Sequence, residues 1–300
     1  MAVIATGFFD GVHLGHRLVI DTLLSEARAR GEQSVVVTFW PHPRAVLQSD
    51  ADSLRYLSSR QEKDDMLRSL GVDRVETVPF SRKFAAMSAR EYIEMLVSGF
   101  GCSCLVLGYD TRFGREQAGP EQIAALARSM GLDATITPPV RMDGAPVSST
   151  RIRSALEEGD VAMASRFLGR PYRLHGVVVA GNRLGRTIGF PTANMKLYEP
   201  LMLVPKNGVY KTAVIAGSTV MPDPIGHPLT GMTNIGVRPT VSDQRILTIE
   251  THILDFDEMI YGLPITLDFV SRIRDERRFG SMEELRSQLQ ADAALIRNSL

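Results

Sequence analysis

Hydrophobic positions follow two different patterns along the chain, and the pattern changes near residue 170. In the first part, short apolar runs are separated by stretches with helical periodicity. The runs are Ala2–Thr6, Ser34–Phe39, Val75–Val78, Cys104–Gly108 and Ala134–Thr137. Strands that alternate with helices predict a parallel α/β sheet, and such sheets bind ligands beyond the carboxyl ends of their strands.

Capping residues mark several helix ends in this first part. A helical pattern covers Arg17–Arg30 and stops at a glycine. Ser59–Glu62 and Ser88–Glu91 have the Ser-x-x-Glu spacing of a capping box, in which the two side chains bind each other's backbone N–H groups. Pro120 stands near the start of a further predicted helix.

Beyond Leu168–Tyr172 the apolar runs lose their intervening helices. The runs are Leu174–Ala180, Val209–Ala216, Leu247–Leu254 and Ile265–Val270. Turn residues separate them, a pattern that predicts an antiparallel barrel or sandwich. A helix returns at the C-terminus, after the capping box Ser281–Glu284. We expect the Pro- and Gly-rich stretch Gly217–Met232 to be an exposed loop.

Length and composition limit the classes of protein that this chain can belong to. Its 300 residues correspond to about two domains of ~150 residues, which we place at 1–170 and 171–300. Basic and acidic side chains number 34 each, a balance that argues against a nucleic-acid coat or a polybasic membrane anchor. It does not exclude a local basic pocket.

Cysteine usage and hydropathy point to a reducing compartment. Cys102 and Cys104 are separated by one residue, which is too close for an easy disulfide. We expect them to be free thiols in the core of a cytoplasmic protein. The sequence contains no signal peptide and no apolar run long enough to span a membrane.

The segment Thr6–His16 leaves the first strand and opens the first helix. Backbone N–H groups and the helix dipole at such a point suit an anion, and Gly11 and Gly15 permit its close approach. His13 and His16 can hydrogen-bond phosphate oxygens as charge develops. The alternative is a pair of surface or capping histidines; a zinc site is not completed by any cysteine or further histidine cluster.

Two further segments of the first part are candidates for the same site. In Val147–Arg153, a serine or threonine caps a helix whose first turn holds Arg151 and Arg153. Basic residues are disfavoured there unless an anion binds. Gly108–Gly114 directly follows the fourth strand, at a carboxyl end where ligands bind. Its alternative interpretation is a turn with incidental charges.

In the second part, the segment Gly185–Asn194 is too rich in glycine and proline for regular structure. Together with Gly181, the glycines of this segment can wrap a nucleotide. Thr192 and Asn194 each offer an oxygen ligand for Mg²⁺. A long β-hairpin loop is the alternative. In the strand Thr248–Leu254, Glu250 is either a solvated exterior charge or a base in a ligand pocket.

Taken together, these segments resemble the prokaryotic bifunctional riboflavin kinase/FMN adenylyltransferase (FAD synthetase) family over nearly the whole chain. Gly7–His16 and Ser148–Arg153 resemble the blocks of HxGH nucleotidyltransferases. Blocks that resemble the flavokinase module are Gly189–Asn194, Thr233–Thr240, Glu250–Phe256 and Tyr261–Gly262. HxGH alone is shared with other adenylyl- and cytidylyltransferases, whereas the ordered set is specific.

The resemblance implies a Rossmann-like nucleotidyltransferase domain followed by a β-barrel flavokinase domain with a terminal helix. The kinase would move the γ-phosphoryl group of ATP to the 5′-hydroxyl of riboflavin. The adenylyltransferase would then join FMN to the AMP part of a second ATP and release pyrophosphate. Mg²⁺ would serve both reactions, and ATP, riboflavin and FMN would be the small-molecule substrates. We expect no nucleic-acid partner and no membrane, and the sequence leaves the oligomeric state open.

For adenylylation, the resemblance implies that His13 and His16 hold the ATP phosphates. No protein base is needed because the FMN phosphate is already anionic. The further residues expected to bind ATP and its phosphates are Gly7, Phe9, Asp10, Gly15, Ser148, Ser149, Thr150 and Arg151. Asp110 and Phe113 would lie beside FMN or the nucleotide.

For phosphorylation, the resemblance implies that Glu250 takes the proton of the neutral riboflavin hydroxyl. Thr192 and Asn194 would hold Mg²⁺. The residues expected to bind ATP and Mg²⁺ are Gly181, Arg186, Gly189, Pro191, Thr192 and Asn194, with Arg183 as a further source of positive charge.

The chain departs from the family pattern at four places. Phe8 stands where the family often has asparagine, and Thr111 replaces an aromatic residue, which we expect to loosen flavin stacking. The chain starts almost at the first strand, so we expect an edge element or flap over the first site to be missing. Gly217–Met232 is longer than expected for the kinase hairpin.

Overall fold

The structure, a computed structural model, describes residues 1–47, 54–181, 184–217, 228–239 and 245–298. The chain divides into two compact units, Met1–Ser149 and Thr150–Leu300. No helix in these described ranges is long and apolar enough to cross a membrane.

The first unit is built on a five-stranded parallel sheet. Its strands are β1 Ala2–Thr6, β2 Gln33–Trp40, β3 Arg74–Pro79, β4 Cys102–Leu107 and β5 Asp133–Ile136. The order β3-β2-β1-β4-β5 places β1 at the point where the strand order reverses. The predicted parallel α/β sheet is confirmed, and its switch point, where such folds bind ligands, lies at the carboxyl ends of β1 and β4.

Helices cover both faces of this sheet. They are α1 Leu14–Arg30, α2 Pro43–Leu47, α3 Arg60–Ser69, α4 Arg82–Ala85, α5 Ala89–Phe100 and α6 Pro120–Ser129. A short hairpin, β6 Arg141–Met142 and β7 Ala145–Pro146, follows β5. The capping boxes at Ser59 and Ser88 are formed as predicted. The first helix begins at Leu14, three residues before the predicted pattern Arg17–Arg30, and the His13 side chain caps it.

Alternate residues of β1 enter two separate apolar layers. Ile4 packs with the residues of α5 and α6, whereas Val3 packs with those of α1 and α3. This is the arrangement of a sheet that is buried on both faces. Cys102 and Cys104 are buried free thiols, as predicted, and burial raises the pKa of the Cys102 thiol to about 12.

The second unit contains a closed antiparallel barrel, which confirms the barrel alternative over the sandwich. Its strands are β8 Tyr172–Val179, β9 Ala193–Leu197, β10 Gly208–Ala216, β11 Leu229–Pro239, β12 Arg245–Ile253 and β13 Pro264–Arg274, in the order β10-β11-β12-β9-β8-β13. The helices are α7 Ser149–Glu158, which begins at the division between the units, α8 Val161–Leu168, α9 Leu184–Thr187 and α10 Met282–Asn298.

The terminal helix α10 packs on the barrel through a small apolar cluster and one buried ion pair. Ala293 and Ile296 belong to the same buried cluster as Val209 of β10. Arg274 at the end of β13 binds Asp292 with a distance of 2.7 Å between Nη2 and Oδ2, and Asp292 is almost fully buried.

Two expectations about irregular segments in this unit need correction. Gly185–Asn194 is not free of regular structure, since α9 ends at Thr187 and β9 begins at Ala193. The predicted loop Gly217–Met232 is too long at its end, because β11 starts at Leu229; residues 218–227 lie outside the described ranges. Pairing with strands on both sides stabilises β11 despite its weak sequence signal.

Buried hydroxyl groups cross-link these three strands. Thr233 of β11 is hydrogen-bonded to Thr212 of β10 at 2.8 Å and to Thr251 of β12 at 2.9 Å. All three threonines are almost fully inaccessible to solvent. Because buried polar groups need partners, this row fixes the register of the barrel beside the candidate kinase residues.

Candidate active sites

The two histidines of the first motif stack at the start of α1. Their ring centroids are 3.6 Å apart, with an angle of 15° between the planes. His13 Nδ1 accepts the backbone N–H of His16 at 3.3 Å, so this nitrogen carries no proton and Nε2 is the N–H. A Cβ at Gly15 would lie 3.1 Å from the His13 ring, and the stack therefore depends on glycine at this position.

His16 is neutral in this environment. Burial, followed by the positive potential of His13 and Lys63, holds the pKa of the His16 imidazole well below its usual value. Its Nδ1 atom is buried and has no hydrogen-bond partner in the described structure. Leaving such an atom unpaired costs about 1–3 kcal/mol, so a ligand that binds it gains affinity.

A cavity of about 230 Å³, which we call the histidine cavity, opens at the carboxyl ends of β1 and β4. It is lined by Thr6, Gly7, Phe8, Phe9, His16, Val19, Phe39, Gly108, Asp110, Thr111, Arg112 and Phe113. Five residues predicted from separate motifs thus meet around one space: Gly7, Phe9, His16, Asp110 and Phe113. Phe9 also packs edge-on against the His16 ring, with centroids 5.2 Å apart.

Asp10 has a different environment from the one expected of a phosphate-binding residue. It is 3% exposed and does not line the histidine cavity. Its Oδ1 atom accepts the backbone N–H groups of Leu57 and Ser58 at 3.0 and 3.2 Å. Its carbonyl accepts the hydroxyl of Ser149 at 3.1 Å. The contacts anchor the loop before α3 to the turn that carries His13.

The remaining residues of the Ser-Ser-Thr-x-Ile-Arg block lie around the start of α7. Ser148 directly precedes this helix and is half-buried. Thr150 and Arg151 belong to the second unit, where the Arg151 guanidinium lies 4.4 Å from the centroid of the Phe167 ring. Their contact with the triphosphate stays a prediction.

A second cavity of about 250 Å³ in the first unit has an aromatic wall, and we call it the aromatic cavity. It is lined by Phe39, Pro43, Arg44, Leu47, Phe80, Phe84, Ala85, Met87, Tyr92, Arg112, Phe113, Gly114 and Gln117. Tyr92 packs edge-on against Phe84 and Phe113. The aromatic surface comes from four separate segments, and Thr111, which replaces an aromatic residue of the family pattern, lines the histidine cavity instead.

Lys63 is a buried charge beside the histidine cavity that sequence reasoning missed. Its side chain is 1% exposed, and Nζ donates to the Thr38 hydroxyl at 2.9 Å. The same atom lies 4.2 Å from the centroid of the Phe8 ring. Burial lowers the pKa of Lys63 to about 8. No sequence signal separates this lysine, in the first turns of α3, from an ordinary solvated helix charge.

In the barrel, Glu250 lies between two amide side chains on neighbouring strands. It is in register with Asn194 of β9 on one side and Asn234 of β11 on the other. Its neighbours in sequence, Ile249 and Thr251, are buried, whereas Glu250 is half-buried. The carboxylate is therefore neither fully solvated nor in the apolar interior.

Gly181 and Asn194 approach each other closely. A Cβ at Gly181 would lie 2.3 Å from the Asn194 Nδ2 atom, so only glycine allows the chain to pass this amide. Gly189 follows α9 with a φ of +85°. The side chain of Arg186 and the whole of Arg183 lie outside what the structure describes.

A third cavity, of about 60 Å³, adjoins these residues, and we call it the barrel cavity. It is lined by Val178, Pro191, Thr192, Ala193, Thr251, Ile253 and the loop Phe256–Tyr261. His252 fixes its edge, because its Nδ1 donates to the Pro191 carbonyl at 2.8 Å. The sequence had indicated no role for His252.

The donor set beside the barrel cavity suits a hard cation. Thr192 and Asn194 offer a hydroxyl and an amide oxygen, and Mg²⁺ prefers oxygen ligands from few protein groups together with phosphates. No cluster of three or more His, Cys, Asp or Glu side chains suited to a metal occurs in the described part of the chain. The residues thus fit Mg²⁺ that arrives with a nucleotide.

Comparison with known families gives two matches, one in each part of the chain. A family model for FAD synthetase matches residues 1–151. A family model for riboflavin kinase matches residues 168–300. The first match covers the sheet with its helices, and the second covers the barrel and α10.

Curated relatives match nearly the whole chain. The bifunctional riboflavin kinase/FMN adenylyltransferase of Escherichia coli is 38% identical over 298 residues, covering 98% of this chain and 91% of the relative. The protein of the same name from Bacillus subtilis is 34% identical over 293 residues, covering 97% and 90%.

A solved structure has the same architecture over both units. It is described as the macrolide-efflux protein from Streptococcus pneumoniae, is 31% identical, and has a TM-score of 0.89. The alignment covers 99% of this chain and 94% of that one. The efflux activity in that description refers to the streptococcal protein, and we do not assign it to this chain.

Proposed function

Because the chain belongs to the bifunctional riboflavin kinase/FMN adenylyltransferase family, we propose that each of its two units carries one of the two reactions at the cavities described above. The enzyme phosphorylates riboflavin to FMN and then transfers AMP from a second ATP to FMN, giving FAD and pyrophosphate. The adenylylation reaction is assigned to the first unit on one observation. Five predicted residues meet around the histidine cavity: Gly7, Phe9, His16, Asp110 and Phe113.

In the first unit, ATP binds in the histidine cavity. His16 and the Nε2–H of His13 donate hydrogen bonds to its phosphates, at the N-terminus of α1 where the helix dipole also favours an anion. The His16 imidazole acts as a neutral donor, since burial holds its pKa well below its usual value. The flavin ring of FMN binds in the adjoining aromatic cavity, whose rings and apolar side chains suit a planar heterocycle.

The adenylylation step needs positioning rather than a base. A phosphate oxygen of FMN attacks the α-phosphorus of ATP, and the bond from that phosphorus to the bridging oxygen breaks as pyrophosphate leaves. The nucleophile is already ionised at pH 7, so no proton has to be removed. Donors that are fixed before the substrate arrives stabilise the charge that builds up on the phosphorus oxygens.

In the second unit, Glu250 accepts the proton of the riboflavin 5′-hydroxyl as that oxygen attacks the γ-phosphorus of ATP. The nucleotide binds at the barrel cavity, where Thr192 lies. Thr192 and Asn194 would hold Mg²⁺, which neutralises phosphate charge when it is bound. The flanking residues Asn194 and Asn234 orient the carboxylate. The cytoplasmic location and the absence of a nucleic-acid partner remain predictions from the sequence.

A double substitution tests the assignment of the first site. The His13→Ala/His16→Ala variant is incubated with riboflavin, ATP and Mg²⁺, and the flavins are separated by chromatography. FAD formation is expected to fall on the order of 10³-fold, since removing one such donor alone costs about 10²–10³-fold. FMN formation should not change. An undiminished rate of FAD formation would remove the histidine cavity from the mechanism.

A further inference from the structure

The histidine cavity and the aromatic cavity share one wall. Three residues line both cavities: Phe39, Arg112 and Phe113. Arg112 is the one charged residue among them. Among the described residues, two other charged residues line one cavity each. Asp110 lines the histidine cavity, and Arg44 lines the aromatic cavity.

The guanidinium of Arg112 has most of its donors available. The described structure gives its side chain one hydrogen bond, from Nη1 to the Gln117 carbonyl at 3.3 Å, and no ion pair. A guanidinium carries five N–H donors in a planar fork that matches the oxygens of a phosphate. A single long hydrogen bond leaves that fork open to an anion.

The loop that carries Arg112 is closely held. The backbone N–H of Gln117 donates to the Gly114 carbonyl at 2.9 Å, and that of Ala118 donates to the Phe113 carbonyl at 3.1 Å. The Arg115 N–H donates to the Met87 carbonyl at 2.8 Å, which ties the loop to the residues before α5. The position of Arg112 at the shared wall is therefore fixed by the backbone rather than by its own side-chain contacts.

The reaction places an anion at this wall, if the substrates lie as proposed. With the flavin ring in the aromatic cavity and ATP in the histidine cavity, the FMN phosphate must lie where the two cavities meet. There it approaches a second anion, the α-phosphate of ATP, and the two repel each other. His16 does not offset this repulsion with a full charge, because it is held neutral. A cation at the shared wall offsets the repulsion between the two phosphates.

We propose that Arg112 binds the 5′-phosphate of FMN at the adenylylation site, so that it distinguishes FMN from flavins that carry no phosphate. This inference rests on the proposed function of the first unit, and it adds a binding residue that the sequence motifs had not indicated. Arg112 lies in Gly108–Gly114, between Asp110 and Phe113, which were the residues of that motif expected to contact substrate.

The test compares Arg112→Gln with the matched control Arg115→Gln in the full chain. Arg115 is an exposed arginine of the same loop and lines neither cavity. The substrate is FMN, and the measured quantities are the KM for FMN, the KM for ATP and the inhibition constant of lumiflavin. Lumiflavin has the flavin ring but no ribityl chain and no phosphate, so the kinase cannot convert it.

In Arg112→Gln, the KM for FMN should rise about tenfold to a hundredfold, the loss expected for one charge-assisted hydrogen bond. The KM for ATP and the inhibition by lumiflavin should not change, and riboflavin phosphorylation in the same polypeptide should continue at its usual rate. The KM for FMN of Arg112→Lys should lie between those of the unsubstituted enzyme and Arg112→Gln, since lysine keeps the charge but lacks the planar fork of donors. Arg115→Gln should resemble the unsubstituted enzyme.

Three outcomes would overturn the inference. They are an unchanged KM for FMN in Arg112→Gln, an equal weakening of lumiflavin inhibition, which would place Arg112 against the ring, and an equal effect of Arg115→Gln. Failure of the unsubstituted chain to convert FMN to FAD would instead overturn the proposed function, and is separately visible.

Discussion

The carboxyl end of β1 and the middle of β12 present functional side chains in different ways. At β1, a turn and a helix start hold two stacked imidazoles, and the carboxylate of Asp10 is bound to backbone N–H groups. At β12, a carboxylate lies on a regular strand between two amides. The difference follows the nucleophiles: an anionic phosphate needs donors and no base, whereas a neutral hydroxyl needs a base.

The two regions also differ in the groups around their functional side chains. His16 is neutral because burial and nearby positive charge oppose protonation. Glu250 is in register with an asparagine on each neighbouring strand. The substitutions below, ordered from the largest expected effect to the smallest, test whether the two regions work independently.

Glu250→Gln should have the largest effect. Removal of the base should lower the rate of riboflavin phosphorylation about 10²- to 10⁴-fold, while conversion of added FMN to FAD continues. The control is Asp268→Asn, also a carboxylate on a barrel strand, which is paired with Arg173 at 2.6 Å and lines none of the three cavities. Initial rates of FMN and FAD formation by chromatography give both numbers. Full phosphorylation activity in Glu250→Gln would show that another group takes the proton.

Two glycine-to-alanine substitutions should impair one region each. In Gly181→Ala, the new methyl group meets the Asn194 amide at 2.3 Å, and displacement of that side chain should slow FMN formation on the order of 10²-fold. In Gly15→Ala, the methyl group lies 3.1 Å from the His13 ring, so a smaller shift should slow FAD formation about tenfold. Each variant should leave the other reaction unchanged.

Gly99→Ala is the control for both, since it lies in α5, has no positive φ and would place its Cβ in open space. It should leave both rates unchanged. If Gly15→Ala slowed both reactions equally, a general loss of folded protein would explain the result, and the proposed link between Gly15 and the histidine stack would fail.

The smallest effect concerns the buried charge of Lys63. Its pKa is about 8 in the folded protein, against 10.5 in an ordinary environment. Between these two pKa values the unfolded chain binds more protons than the folded chain, so the free energy of unfolding should rise with pH from about 8 to about 10.5. Lys63→Met should remove this rise, whereas exposed Lys83→Met should keep it.

Trp40 reports on this transition, because it is the single tryptophan of the chain and its ring lies near Phe8 and Tyr56 in the first unit. Urea unfolding followed by its fluorescence at several pH values gives the slope. An equal slope in Lys63→Met and the unsubstituted protein would mean that Lys63 does not titrate in this range.

Much of the fold could be predicted because its local signals agree with its tertiary structure. The five strands of the sheet are apolar runs, and the capping boxes at Ser59 and Ser88 start helices as their spacing indicates. β11 was missed because its glycines, threonines and asparagine carry a weak strand signal. In the folded barrel, β11 pairs with β10 on one side and β12 on the other, and buried threonines link the three strands. These long-range contacts leave no local signal in the sequence.

The candidate sites were predictable to the extent that a residue's role belongs to a motif. His13, His16, Asp110 and Phe113 belong to motifs that converge at the carboxyl ends of adjacent parallel strands. Lys63 could not be found in this way, because its burial against Phe8 and Thr38 depends on packing between separate segments.

The central claim is that each unit carries one reaction, so that two variants with opposite defects should restore each other's function. The decisive measurement mixes His13→Ala/His16→Ala with Glu250→Gln and follows riboflavin, FMN and FAD over time in the presence of ATP and Mg²⁺. The mixture should convert riboflavin to FAD, with FMN released by the first variant and consumed by the second, whereas neither variant alone should do so. A mixture that accumulates FMN without FAD, or forms no FMN, would contradict the assignment of one reaction to each unit.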